Sequence, residues 1–362
     1  VSAPTVRIVA VGAITSIGIG AAQTDASLRA GLCRFREGPW PQGDDAVVMA
    51  RVRDEALIDP LARLAAAPAL RLDDWSRRVI AIAGLAIADA TMASQDPRPI
   101  ALQLGVADPR EGMPTLAPPA LWAALSIAAE RPIDAGRSRL FARGRAAIFD
   151  AIAAGRDLLR MQPDARVVCG GVDSYVDAER VRREHALGRT QGGPWAGDGR
   201  ALGEAAGMLV LEADPQQRGG VVLAAIGRAE DPGHRFGHAP ARGEGLADAI
   251  EALRGELEPG VPFGVAWAGL TGESHDVKLW GTACLRHRDL LVAQTRVEHP
   301  ADRIGDAGAG LGAVMFVDAH QRLITGRCDG PALLWAASDH GPCGSAMLSA
   351  AERPVTDTGD PP

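Results

Sequence analysis

The residues in this chain whose types and spacing suggest chemistry are few and scattered. His234 and His238, in the run GHRFGH, stand four apart, which on a helix would aim two imidazoles at one metal ion. Gly233, Gly237 and Pro240 break a helix there, so the run reads as a loop and no metal is expected. Arg143 and Arg145 flank Gly144 just ahead of an Ala-rich helical stretch, where two guanidinium groups would suit a phosphate or another anionic surface. Solvated arginines at a helix end are the plainer reading. Asp306, Glu273 and His275 would make an acid–base cluster if the fold converged them; an aspartate in a glycine turn more commonly accepts backbone N–H groups, and His275 reads as a solvated loop residue. Cys343, in GPCGSA, is the one cysteine in a motif-like setting, on what reads as a glycine-rich loop, and a buried structural thiol is its expected role.

The elements that must position these groups follow an α/β rhythm. Residues 6–11 are a β-branched strand entering a turn at Gly12, and 20–31 carry helical spacing that closes at Gly31. A second helix is predicted over 78–93 and a short strand over 101–106, followed by a loop over 108–119, which holds four prolines. A helix over 146–159 leads to a strand at 166–169 and a turn at Gly170-Gly171. A strand over 203–212 precedes a linker at 213–220. The second half repeats the pattern: strand 221–226, helix 245–257, strand 261–268, a helix or helix–strand junction at 310–317, and strand 332–337. The polar, proline-rich stretch 352–362 is expected to be disordered. Strands alternating with helices over two similar halves imply an α/β architecture.

Composition narrows the partners. The net charge of −7 gives no reason to expect nucleic acid or an anionic membrane, and aromatics at 4% leave little for base stacking. Five cysteines without a CxxC pair argue for free thiols in a reducing compartment, so a cytoplasmic location is expected. No apolar run reaches the length of a membrane span.

Segments in order along the chain resemble the β-ketoacyl synthases of the thiolase superfamily. VRIVAVGAITSIGIGAAQTDASLRAG is similar to the family's first strand, glycine turn and helix, and VVCGGVDS at 167–174 to the strand after the nucleophile-bearing helix. GGPWAGDGRALGEAAGMLVLEAD at 192–214 resembles the segment that closes the first half. RIGDAGAGLGAV at 303–314 resembles the GHxxGAAGA segment, and SDHGPCGSAML at 338–348 the glycine-rich C-terminal one. The resemblance implies a five-layered αβαβα fold of two pseudo-symmetric halves, placed at 1–212 and 219–351, and a dimer.

A condensing member needs a cysteine nucleophile at a helix N-terminus and two histidines that hold the thioester or malonyl carbonyl. The nucleophile position falls near Gly144 or Arg145, with no Cys, Ser, Thr or Gln between Arg139 and Asp150; Ser138 lies more than a helical turn away and reads as an ordinary loop serine. Gly269 stands at the first histidine position and Asp306 at the second. Ala301 falls near the family's lysine. A carboxylate at 306 would repel a developing enolate. Arg145 and Asp306 would then face one another across the old cavity as a partly buried pair. The resemblance therefore implies a ketosynthase-like protein without condensing activity and without a cofactor. The expected role is a partner or scaffold subunit, comparable to a chain length factor, in a homodimer or in a heterodimer with an active ketosynthase, and in contact with acyl carrier protein. Alternatives are an acyltransferase acting through rebuilt residues such as His275 or Cys343, the latter because thiolases carry a catalytic cysteine in a comparable position, and an accessory protein of type VI secretion, since EHPADRIGDAG resembles ketosynthase-like proteins encoded beside such genes.

Overall fold

A computed structural model of the chain describes residues 5–38, 40, 46–94, 96–111, 118–191, 198–214, 220–258, 260–328 and 330–351. The tail expected at 352–362, most of the linker expected at 213–220, and the GGPWAG stretch at 192–197 lie outside the described residues.

Ten strands form the frame: β1 (Thr5–Ile14), β2 (Ala101–Val106), β3 (Arg139–Ala142), β4 (Val167–Ser174), β5 (Leu202–Asp214), β6 (Gly220–Glu230), β7 (Val265–Ala268), β8 (Arg296–Glu298), β9 (Ala332–Ala337) and β10 (Pro342–Ala351). Their hydrogen-bonded order is β8-β7-β9-β10-β6-β1-β5-β4-β2-β3. Adding five to each strand of the first half gives the order of the second. Directions repeat as well. The β3/β2/β4 and β8/β7/β9 pairings are parallel, and those onward to β5 and β1, or to β10 and β6, are antiparallel. The halves meet where Val6–Ile8 of β1 pair with Val221–Leu223 of β6. A two-stranded ribbon, Arg36–Glu37 with Val48–Ala50, hangs on the start of β5.

The helices are α1 (Ala21–Arg29), α2 (Ile58–Ala65), α3 (Asp74–Thr91), α4 (Pro118–Ala129), α5 (Ala147–Met161), α6 (Ala178–Ala186), α7 (Glu244–Glu251), α8 (Ser274–Arg286), α9 (Ala301–Ile304) and α10 (Ala309–Ile324). Alternation along the strands shows how they layer, because successive side chains leave a strand on opposite faces. Leu102, Leu104, Val168 and Val172 pack with α3 and α4, whereas Ala101, Val167 and Cys169 pack with α5 and α10. In the second half Ala266, Leu333, Trp335 and Met347 pack with α7 and α8, while Val265, Trp267 and Leu334 join α5 and α10. Helices α5 and α10 are thus the middle layer of five, joined by an edge-to-face pair of Phe149 and Phe316 at 5.5 Å. A helix covered by sheets on two sides must be apolar or small nearly all round, and α10 is. Glycine permits close approaches along it: a Cβ on Gly310 would sit 2.1 Å from the Ala205 carbonyl, and one on Gly312 2.4 Å from the Arg145 carbonyl.

Several expectations need correction. Gly170 and Gly171 do not turn; they lie inside β4, where a Cβ on either would strike Met208 or Ala309. Only part of 108–119 is a loop, since a 3₁₀ turn spans Pro109–Glu111 and α4 begins at Pro118, a proline placed at a helix start where its missing N–H costs nothing. The helix expected to 257 ends at Glu251 before a separate turn, the strand expected from 261 begins at Val265, and 310–317 is plain helix continuing to Ile324.

Candidate functional site

The parallel strands of both halves end on the same side of the middle layer, and the residues following them converge there. Beyond β3 the chain turns through Gly144, whose φ of +64° favours glycine, into the 3₁₀ turn Gly144–Ala146 and then α5. Arg145 in that turn is buried. Its Nη1 donates to Asp306 Oδ2 at 2.7 Å, its Nη2 to Asp339 Oδ1 at 2.6 Å, and its Nε to the Ala337 carbonyl at 2.9 Å. The structure therefore pairs Arg145 with Asp306 and adds a second carboxylate from just after β9.

The pair is the centre of a larger network. Arg200, wholly buried, places Nε 2.9 Å from the same Asp306 oxygen and donates to Glu273 at 2.6 Å, Glu184 at 2.9 Å and the Tyr175 hydroxyl at 3.2 Å. Arg189 grips Glu273 through Nε and Nη2 at 2.9 and 2.8 Å and reaches Asp339 at 2.8 Å. Arg235 closes the cluster from the loop after β6, 3.3 Å from Glu273 and 3.5 Å from Asp339. Four arginines face four carboxylates, Glu184, Glu273, Asp306 and Asp339, so the cluster is neutral. Neutrality and hydrogen bonding are the conditions under which buried charges are tolerated. Burial pushes the Asp339 carboxyl up, but Arg145, Arg200 and Arg235 outweigh it and hold the group at about 2. Beside the network Arg180 binds Asp173 at 2.6 Å and Glu111 at 2.7 Å, its guanidinium 3.5 Å over the Tyr175 ring. Glu111 also lies against the turn, since a Cβ on Gly144 would be 3.2 Å from its Oε1.

The remaining candidates separate. Asp306 Oδ1 accepts the Gly308 N–H at 2.9 Å, the glycine-turn role, while Oδ2 takes both arginines. Gly269 sits at the end of β7 with so little room that a Cβ would lie 2.9 Å from the Ala336 Cα. His275 is not a loop residue; it is half-buried in the first turn of α8, where burial and Arg235 hold its pKa below the ordinary value. Cys343 is not on a loop. It lies within β10 facing the outer layer of α7 and α8, and burial pushes its thiol far up, so it is not a ready nucleophile. Arg143 is engaged at the surface by Asp150 and Glu230. Ser138 Oγ accepts the Leu102 N–H at 2.9 Å. His234 lies tilted against His340, their ring centroids 6.2 Å apart, while His238 is exposed, and among the described residues no side-chain group is arranged to hold a metal.

Arg189, Arg200, Arg235, Glu184 and Asp339 were not anticipated. One signal was available: Lys278 is the only lysine among the 38 basic residues, and arginine is the cation suited to several carboxylates at once.

No protein-family model and no curated protein matches the chain. Solved structures do. The ishigamide ketosynthase/chain length factor superposes with a TM-score of 0.75 at 18% identity, over 96% of this chain and 99% of that one. The ketosynthase from module 6 of the Bacillus subtilis 168 bacillaene synthase gives 0.75 at 14%, over 97% and 72%. The ketosynthase–chain length factor complex of Xenorhabdus doucetiae gives 0.71 at 17%, over 96% and 98%. The fold is the thiolase-like fold of the ketosynthases. On that ketosynthase fold the network stands outside the carboxyl ends of the parallel strands, the usual place for a ligand in open α/β sheets. Among the described residues, no helix is long and apolar enough to cross a membrane.

Proposed function

We propose that this chain is a non-condensing ketosynthase-like protein that serves as a partner or scaffold subunit, in the manner of a chain length factor. The observation that carries the reading is the Arg145–Asp306–Asp339 cluster. Where a condensing enzyme would hold a thiol and imidazoles around a substrate carbonyl, this chain holds a closed, neutral set of ion pairs, with glycine at 144 and 269. A carboxylate already bound by two arginines is saturated, so it neither binds an acyl carbonyl nor supports decarboxylation. Acyl and malonyl carrier-protein thioesters incubated with the protein are expected to give no acyl adduct and no 3-oxoacyl product by mass spectrometry. A covalent adduct, or any condensation product, would overturn the reading.

The partner surface proposed is the edge strand β3. Its Leu140, Phe141 and Ala142 are only half-buried and its outer backbone edge is open among the described residues. The opposite edge, β8, is short and carries Arg296 and Glu298, the kind of charged edge that resists pairing. Pairing of β3 with the same strand of a second copy, or of an active ketosynthase, would continue the sheet across two chains. That some structural neighbours are ketosynthases solved with a chain length factor supports such a partner. Light scattering at micromolar concentration is expected to return a dimer, or a complex with a co-purifying homologue. A strict monomer without a partner would count against it.

A further inference from the structure

We propose that the segment between β6 and α7, residues 232–242, is a displaceable lid over the ion-pair network, and that its Arg235 is an internal stand-in for a ligand carrying a guanidinium group on a short chain. Both ends of the segment are fixed. The Asp231 N–H donates to the Gly341 carbonyl at 2.7 Å, and Gly243 lies so close to α8 that a Cβ there would sit 3.1 Å from that of Thr282. Between these points the chain folds on itself. A Cβ on Gly233 would strike the Pro240 carbonyl, and the Gly237 N–H donates to the His234 carbonyl at 2.8 Å. Among the described residues, no hydrogen bond runs from 235–242 to the protein outside the segment. Phe236 rests on the His340 ring at 4.9 Å and is still 40% exposed. A segment with so few ties to its surroundings opens at low cost.

Arg235 is the most loosely held member of the network. Arg145, Arg189 and Arg200 each donate two or more hydrogen bonds to the carboxylates, at 2.6 to 2.9 Å. Arg235 stands 3.3 Å from Glu273 and 3.5 Å from Asp339, and neither its Nε nor its Nη2 finds a hydrogen-bond partner. Its side chain, 16% exposed, is also the most open of the four. It thus supplies charge without the fork geometry that makes arginine a strong partner. With the lid open, three arginines face four carboxylates, and a buried negative charge without a counterion is unfavourable. Acceptors remain for a replacement. Asp339 Oδ1 accepts one hydrogen bond, from Arg145, and Glu273 Oε1 one, from Arg189, so each keeps a lone pair. A guanidinium free of the loop can approach them as Arg235, tethered on both sides, does not. An ammonium would bring the charge but not the planar fork.

Calorimetric titration of the full chain and of Arg235→Ala with butylguanidinium tests this. The variant lacks the internal competitor, so it is expected to show one saturable site, at least about tenfold tighter than the parent's. Butylurea, the neutral isostere, is expected to bind neither. Arg235→Ala gives up no hydrogen bond and is expected to fold; should it fail to, the parent decides. Chymotrypsin cuts after Phe236 when the lid opens, and butylguanidinium is expected to speed that cut by about threefold or more, with butylurea leaving it unchanged. No saturable site in Arg235→Ala, equal affinity in parent and variant, butylurea binding as tightly as butylguanidinium, or a cut that butylguanidinium does not speed would each overturn the proposal.

Discussion

Asp306→Ala is expected to destabilise the protein by about 3 kcal/mol or more, the range for breaking one side of a buried ion pair. The carboxylate is fully buried, and one of its oxygens lies within 2.9 Å of both Arg145 and Arg200. Removing it leaves four arginines, all but Arg235 buried, against three carboxylates. The Gly308 N–H also loses its acceptor at the start of α10, the helix that holds the two sheets together. The loss comes from the charges left behind, so Arg145→Ala made alongside it should be markedly less than additive. Asp302→Ala, four residues earlier and half-exposed, should stay within about 0.5 kcal/mol of the parent. Chemical denaturation followed by circular dichroism reads all three. An unchanged midpoint for Asp306→Ala would show that the network does not bear on the fold.

The frame was legible because its signals are local. A β-branched run entering a glycine marks β1, short apolar runs mark β2 and β9, and Ala-rich stretches at helical spacing mark α3 and α5, each within a few residues. Gly170-Gly171 was misread for a physical reason. Glycine pairs usually turn the chain, but here they are small because Met208 on one face and α10 on the other approach the strand too closely for a side chain. The pairing of Arg145 with Asp306 could be anticipated only because a family pattern put both at one cavity, 161 positions apart in the chain. Arg200 and Asp339 fall in family-like segments but at no catalytic position of them, and Arg189 lies outside those segments. Their roles depend on three loops meeting, and a charged residue in a loop looks solvated until its neighbours are known. Cys343 shows the converse, since its glycine-rich setting suggested a site and the strand register turned it to the outer layer.

The acid–base behaviour of the fold should separate two kinds of buried aspartate. Asp339 is held at about 2 against an ordinary 3.8, so its contribution is present above pH 4 and lost as pH falls toward 2. Asp318 has the opposite sign. It lies on α10 in the middle layer, accepts the Trp267 N–H at 2.6 Å and pairs with Arg322 at 3.0 Å. Burial outweighs Arg322 and the Trp267 hydrogen bond, with Asp25 of α1 adding repulsion, and raises the group to about 6. The neutral acid therefore suits the site, and its contribution is complete below pH 3.8 and lost as pH rises through 6. A shift of two units corresponds to about 3 kcal/mol. Asp318→Asn keeps an oxygen for Trp267 and leaves Arg322 with Glu298, 2.8 Å away, while removing the titration. The unfolding free energy of the parent relative to this variant is expected to fall by about 3 kcal/mol between pH 4 and pH 7.5. A difference that stays flat over that interval, or that grows in favour of the aspartate as pH rises, would mean that Arg322 rather than burial sets the charge of Asp318.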